Sequence, residues 1–311
     1  MISEELLCKI HLDLSDVQQI LAKDAVYGNR IQPISQAYMR NDPGDQYDPY
    51  TQAQFIAEKA KAERYLEQAM ALDSTGEDKY TLQLLFWLHC VPDLQEVYQR
   101  NQIAVEVLYD TLCDLTYKVN ECKKLHGVCG VCVPWFYLIF NFQLFAFGRL
   151  QYQTMKYERA DYRFGDYTLK HGDVIYGCHI PSSGKLLPEL CMDSLEQAYR
   201  FFKDKLKDDI LPVGCDTWLL YPPYLEKVFA EGSNIKEFSK LFDITETRCI
   251  GKTFSVCGSI FDKAFSGSTK DLPSNTTLQK RFIEYIDNDG DFGYGFGILL
   301  YDGVNKKIVN R

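Results

Sequence analysis

The chain has 311 residues, a formal net charge of -9, an apolar fraction of 46% and a charged fraction of 25%. That length allows a sizeable core and favours two domains over one. The acidic balance argues against a general nucleic-acid binder, which needs a basic face to neutralise phosphates.

The opening stretch "MISEELLCKIHLDLSD" carries early acidic residues and no long apolar run ahead of a small-residue cleavage site, so it does not read as a secretion signal. Eleven cysteines in such a chain point to reduced thiols in a cytoplasm rather than to a disulfide framework. The first third is helical by pattern. "SDVQQILAK" places Ser15 and Gln18 at capping-box spacing, and the turn-rich "RNDPGDQYDP" separates it from "TQAQFIAEKAKAERYLEQAMAL", a run of strong helix formers. "KYTLQLLFWLHC" is expected to stop at Val91-Pro92, because the residue before a proline avoids helical geometry. "DLQEVYQRN" then starts a further helix, and "AVEVLYDTLCDLTYKVNECKKLHG" runs to Gly127, a usual terminator.

Residues 127–148 carry no formal charge and are numerous enough to span a bilayer. Pro134, Asn141, Gln143 and the alternation in "FNFQLFAFG" instead indicate core, a helix turning into a strand, with no membrane partner. From there the pattern becomes β-rich. "FQLFAFGRLQYQTMKYE" and "DYTLKHGDVIYGCHIP" read as an antiparallel pair with "RFGD" as a turn. A helix with Asp193 and Ser194 at its cap follows, its buried stripe formed by Leu195, Ala198, Phe201, Phe202 and Leu206. After it come a strand "VGCDTWLLYP", two short helices, a strand "RCIGKTFSVCGSIF", a helix "TTLQKRFIEYIDN" and a last strand "GYGFGILLYDG". The expectation is an α+β chain, with a helical domain over 1–127 and a β-rich domain with interleaved helices over 128–311.

Several motifs invite chemistry. "GCHIPSSGKL" has the look of a phosphate loop, yet six residues separate Gly177 from Gly184 where four are needed, and Leu186 stands where a magnesium-binding Ser or Thr would. The loop still leaves a strand and opens a helix, a geometry that suits an anion. Ser182, Ser183, Gly184 and Lys185 offer hydroxyls, a flexible N–H and a cation for a phosphate; the plain alternative is a surface turn. Cys122, His126, Cys129 and Cys132 are zinc-type ligands, but they crowd one helix end with apolar flanks, so they read as core thiols and no metal is expected. "DNDGD" at 287–291 lacks EF-hand spacing and reads as a turn. His179 sits where the chain leaves the sheet, the usual place for ligands in open sheets. A neutral imidazole there is either a base for an attacking amine or a structural histidine bonded to backbone. Cys191 is a nucleophile only with a lowered pKa and otherwise an inert thiol.

Taken in order, "FWLHCVPDLQEVYQ", "FGRLQYQ", "HIPSSGKL", "CMDSLEQAYRFF", "CDTWLLYP", "SNIKEFSKLFDI" and "LPSNTTLQKRF" make the chain resemble a family of acyltransferase-domain proteins. These pair a helical N-terminal domain with a GNAT-like domain, a mixed, mostly antiparallel sheet flanked by helices. The resemblance implies an N-acyltransferase that moves an acyl group from a thioester donor to a small-molecule amine by direct attack. The donor would be acyl-CoA or an acyl-phosphopantetheine on acyl carrier protein. It also implies a pantetheine arm between two splayed strands and a pyrophosphate on backbone N–H groups of a glycine-rich loop. That loop's usual Q/R-x-x-G-x-G/A signature is missing here, where only Gly184 stands. By placement, His179 is the candidate base, Asp216 the residue that orients the amine, and Arg149 the partner of an acidic acceptor or phosphate. Ser182, Ser183, Gly184 and Lys185 are the candidate donor site. The competing reading is a non-catalytic descendant that binds an acyl ligand or a protein partner; a third is covalent transfer through Cys191 with His179.

Overall fold

The computed structural model describes residues 2–40, 48–251, 254–263 and 265–310; most of the turn-rich "RNDPGDQYDP" lies outside them. The N-terminal half is a stack of helices: α1 (Glu4–Lys9), α2 (Leu14–Met39), α3 (Gln52–Met70), α4 (Lys79–Arg100) and α5 (Val105–His126). Thr51 and Gln54 close a reciprocal cap on α3, and Gly127, at φ 70°, ends α5 in the left-handed conformation expected of it. The cap expected at Ser15 is not formed, because α2 already begins at Leu14 behind Asp13.

The break expected at Pro92 is also absent: α4 runs unbroken from Lys79 to Arg100. Its residues Leu84 to Leu88 are buried on all sides, while Pro92 points to solvent. Pro92 leaves the Leu88 carbonyl without its N–H partner, and burial of the apolar residues around it outweighs the roughly 3 kcal/mol such a residue costs inside a helix.

After one helical turn, α6 (Tyr137–Phe140), the chain enters the sheet through β1 (Leu144–Phe147) and β2 (Leu150–Lys156). A separate hairpin, β3 (Tyr162–Phe164) and β4 (Tyr167–Leu169), turns at the "RFGD" segment, and β5 (Val174–His179) returns antiparallel to β2. Helix α7 (Pro188–Phe202) crosses to β6 (Ile210–Thr217). Then come α8 (Pro222–Lys227), α9 (Asn234–Ser239), β7 (Asp243–Cys249), α10 (Phe254–Phe261), α11 (Thr277–Asp287), β8 (Gly293–Asp302) and β9 (Lys307–Ile308). The seven-stranded sheet has the order β1-β2-β5-β6-β8-β7, with β9 on β8, and the β5–β6 pair is its parallel step among the described residues. The fold is thus a helical N-terminal region followed by a mixed, mostly antiparallel sheet with flanking helices.

Two local expectations change. The strand expected over "RCIGKTFSVCGSIF" ends at Cys249, and Phe254–Phe261 is helical; residues 252 and 253 lie outside the described structure. Helix α7 begins at Pro188, so Asp193 and Ser194 lie inside it. Ser194 is fully buried, donates to the Phe147 carbonyl and accepts the Leu150 N–H at 3.2 Å. A polar side chain that looked like a cap instead fastens the β1–β2 turn, where Arg149 sits. The alternating glycines of "GYGFG" do mark a close approach: a Cβ at Gly295 would stand 2.1 Å from the Leu220 carbonyl oxygen.

The uncharged stretch 127–148 is core, and among the described residues no helix is long and apolar enough to cross a membrane. Gly130 lies against the backbone of Tyr80, where a Cβ would be only 2.4 Å from a carbonyl carbon.

Candidate active site

The site begins with a failure of strand pairing. The backbone pairing of strands β5 and β6 ends at Tyr176–Val213 and Gly177–Gly214, and beyond it the Cys215 thiol donates to the Cys178 carbonyl at 3.6 Å. Their outer partners continue: β2 follows β5 to His179, opposite Gln151, and β8 follows β6 to Thr217, opposite Gly295. Each strand therefore keeps one neighbour while the two part from each other, and the sheet opens from its middle as a fork. The inner edges of a fork present backbone groups that a ligand's amides can pair with.

Side chains alternate on either side of the fork. Tyr176, Cys178, Val213 and Cys215 face α7, where the ring of Tyr176 lies 4.1 Å from that of Phe202. Gly177, His179, Gly214 and Asp216 face the other way. At Gly177 and Gly214 the sheet presents no side chain, and both line a cavity of about 410 Å³ walled by Phe55, Trp135, Leu138, Met155 and Phe296. A second cavity, of about 440 Å³, lies along residues 180–186, Trp218 and the start of α9. Trp135, Cys178, His179 and Asp216 border both, so the two spaces meet at the fork.

His179 is half-buried at this junction, its Nε2 2.7 Å from Oε1 of Gln153 and its ring edge-on to Trp135 at 5.9 Å. Burial pushes its pKa down to about 4, so the imidazole is neutral at physiological pH. With the Gln153 carbonyl oxygen as acceptor, Nε2 carries the hydrogen and Nδ1 is left as the basic nitrogen. Asp216 is held by Arg248, whose Nη1 lies 2.8 and 2.9 Å from its two oxygens, and by Arg159 at 3.5 Å. Arg159 also pairs with Glu246 and lies over the Phe296 ring at 3.8 Å.

Arg149 is buried, and the partners it meets are in the following loop. Its Nε donates to the Lys185 carbonyl at 3.1 Å, Nη1 to the Pro181 carbonyl at 3.0 Å and to Ser183 Oγ at 3.2 Å, and Nη2 to the Gly184 carbonyl at 2.7 Å. The guanidinium gathers the loop's carbonyls on one side. Among the described residues, none of the backbone N–H groups of 182–186 has a protein acceptor. Gly184, at φ 125°, supplies a conformation that L side chains rarely adopt. The loop is also tied to α5, since Ser182 donates to Glu121 at 2.7 Å.

Cys191 is fully buried, and burial pushes its thiol up to about 12, so the thiolate that nucleophilic catalysis needs is not formed near neutrality. Cys122 and Cys129 are buried and His126 stacks on Tyr80 at 4.4 Å; among the described residues no three His, Cys, Asp or Glu side chains converge as a metal site. The sequence reading missed Gln153, Trp135, Arg159 and Arg248. Gln151 and Gln153 did carry a signal, being polar residues with strand alternation in an otherwise apolar run.

Residues 144–299 match the GNAT-like C-terminal domain, about half the chain, and residues 4–142 match the N-acyltransferase N-terminal domain. The chain belongs to this family of GNAT-like acyltransferases. The GNAT-like chain also shares its fold with solved acyltransferases. One, in complex with decanoyl-CoA, is 19% identical, with a TM-score of 0.66 over 94% of this chain and 86% of that one. Another, holding decanoyl-CoA and teicoplanin, is 18% identical, with a TM-score of 0.67 over 95% and 86%. A third, with CoA and 10C-teicoplanin, is 18% identical with a TM-score of 0.68 over the same shares. A search of curated proteins finds no match.

Proposed function

We propose that this GNAT-like protein is an N-acyltransferase that moves an acyl group from acyl-CoA to the amine of a small molecule by direct attack. One observation carries the reading: the β5–β6 pair ends at Gly177 and Gly214, and a cavity opens on either side of the fork. The residues there fit a thioester donor. The unpaired N–H groups of 182–186 suit a pyrophosphate, with Arg149 holding the loop's carbonyls. The inner edges past Gly177 and Gly214 suit the amides of a pantetheine arm. The apolar wall of Phe55, Leu138, Met155 and Phe296 suits an acyl chain.

In this reading the amine approaches the thioester carbonyl at the fork. As the N–C bond forms, electrons move to the carbonyl oxygen, and the nitrogen's proton passes to Nδ1 of His179. Collapse of the tetrahedral species then breaks the C–S bond and releases CoA. A neutral imidazole suffices as base, because nitrogen bonded to the tetrahedral carbon is far more acidic than a free ammonium. Asp216 orients the acceptor, with Arg159 and Arg248 fixing its carboxylate. Arg149 acts through the loop it braces.

The test is binding followed by turnover. Decanoyl-CoA should raise the melting temperature, since a ligand of the folded form must stabilise it. Thiol release from decanoyl-CoA should then depend on an added amine from an amino-sugar and glycopeptide panel. Neither decanoyl-CoA nor acetyl-CoA shifting the melting temperature at millimolar concentration would refute the reading.

A further inference from the structure

Behind Trp135 lies a carboxyl group that the fold does not explain. Asp114 is fully buried on α5, and neither of its oxygens has a hydrogen bond of regular geometry; the donors that approach it are the Trp135 indole and the Gln151 amide. A buried carboxyl without a regular hydrogen bond is among the least favourable placements for a polar side chain, and such violations gather at functional sites. Its neighbours point to the fork. The Trp135 indole and the Gln151 amide are the neutral polar groups acting on it. Trp135 borders both cavities and meets His179 edge-on, and Gln151 is the cross-strand partner of His179. Gln151 Oε1 is itself buried without a partner.

We propose that Asp114 is a positioning residue of the acyl-transfer site, its carboxyl group fixing the Trp135 indole and the Gln151 amide against His179. The inference rests on the acyl-transfer reading but is carried by a different observation, the poorly bonded buried carboxyl. Asp114 comes from α5, so the helical half of the chain completes the fork. The charged and titratable groups that face it are Lys118, Glu121, Tyr117 and Cys113, all on α5, and Lys118 also lies over the Trp135 ring at 4.8 Å. Burial raises the carboxyl to about 6. The native state thus holds this proton more tightly than the unfolded chain does. Asp114 therefore weakens the fold progressively as pH rises from about 4 to about 6, and by a constant amount above that.

A structural aspartate and a positioning aspartate make opposite predictions. Asp114→Asn should raise the melting temperature at pH 8, with a smaller gain at pH 4.5, leave decanoyl-CoA affinity within about threefold, and lower amine-dependent thiol release roughly ten- to a hundredfold. The emission assigned to Trp135, taken as the difference from a Trp135→Phe protein, should change with a midpoint near pH 6 in the parent and lose that change in Asp114→Asn. A lower melting temperature at pH 8 would overturn the proposal, as would an unaltered Trp135 profile or full turnover. Failure of both Asp114→Asn and Asp114→Leu to fold would do so as well. If the parent binds no acyl-CoA, the acyl-transfer reading falls, while the melting and fluorescence profiles still judge whether Asp114 sets Trp135.

Discussion

Two side chains at the fork separate chemistry from scaffolding, and they should fail differently. On the proposed mechanism, His179→Ala removes the base and should lower turnover by about 10²- to 10⁴-fold with little change in decanoyl-CoA affinity. In the parent, activity should hold at neutral pH and fall as pH drops through about 4, where the imidazole becomes protonated and ceases to be a base. Arg149 works at one remove. Arg149→Lys cannot span the carbonyls of Pro181, Gly184 and Lys185 at once. It should lower stability by roughly 2–4 kcal/mol, since bonds to a charged group contribute about 1.5–3 each, and weaken decanoyl-CoA binding more than it lowers kcat. Denaturant melts and titration of the variant check both. The sequence singled out His179 as a candidate, because a histidine at a strand end is a recognisable place for a base, and the structure puts it at the junction of the two cavities. It did not reveal how Arg149 is engaged, since its partners are main-chain carbonyls whose direction no residue code records.

Elements were legible where the local code and the fold agree, and illegible where burial overrides it. Helix α3, the Gly127 stop and the β2–β5 pairing follow from a run of strong helix formers, from Gly127 and from the aromatic, β-branched alternation. Pro92 and Ser194 mislead because tertiary packing decides both: the burial of Leu84 to Leu88 carries α4 through the proline, and Ser194 is turned from a cap into a tie to the β1–β2 turn. The fork is a further case, since nothing in "VIYGCHIP" or "VGCDTWLLYP" states that pairing stops after two residues. It can be probed directly. Gly177 lies in the cavity with its missing Cβ 3.0 Å from Met155 Sδ, so Gly177→Val would fill the slot at an overpacking cost of about 1–3 kcal/mol. Decanoyl-CoA affinity should fall at least tenfold in that variant, measured by calorimetric titration.

For the whole molecule, the two halves share one interior. A single apolar cluster extends from Leu7 and Ile20 through Trp87 and Phe140 to Phe202 and Phe282. Strand β1 is buried along its full length: Phe145 packs on Phe201 at 4.9 Å on the α7 side, and Tyr98 of α4 meets Phe142 at 5.1 Å. Thr111 of α5 accepts the Ala146 N–H at 2.9 Å, so the sheet's edge strand is capped by a helix of the other half. The fork depends on the same seam, because Ser182 is tied to Glu121 and Trp135 is held between Lys118 and His179. A fragment of residues 144–311 would expose that edge and the aromatic face beneath it, at about 25 cal/mol for each Å² of apolar surface returned to water. It should therefore be insoluble or fail to bind decanoyl-CoA, and the intact chain should melt in one calorimetric transition whose van't Hoff and calorimetric enthalpies agree. Two separated transitions, with the sheet half binding acyl-CoA alone, would mean that the helices are an accessory rather than one wall of the site.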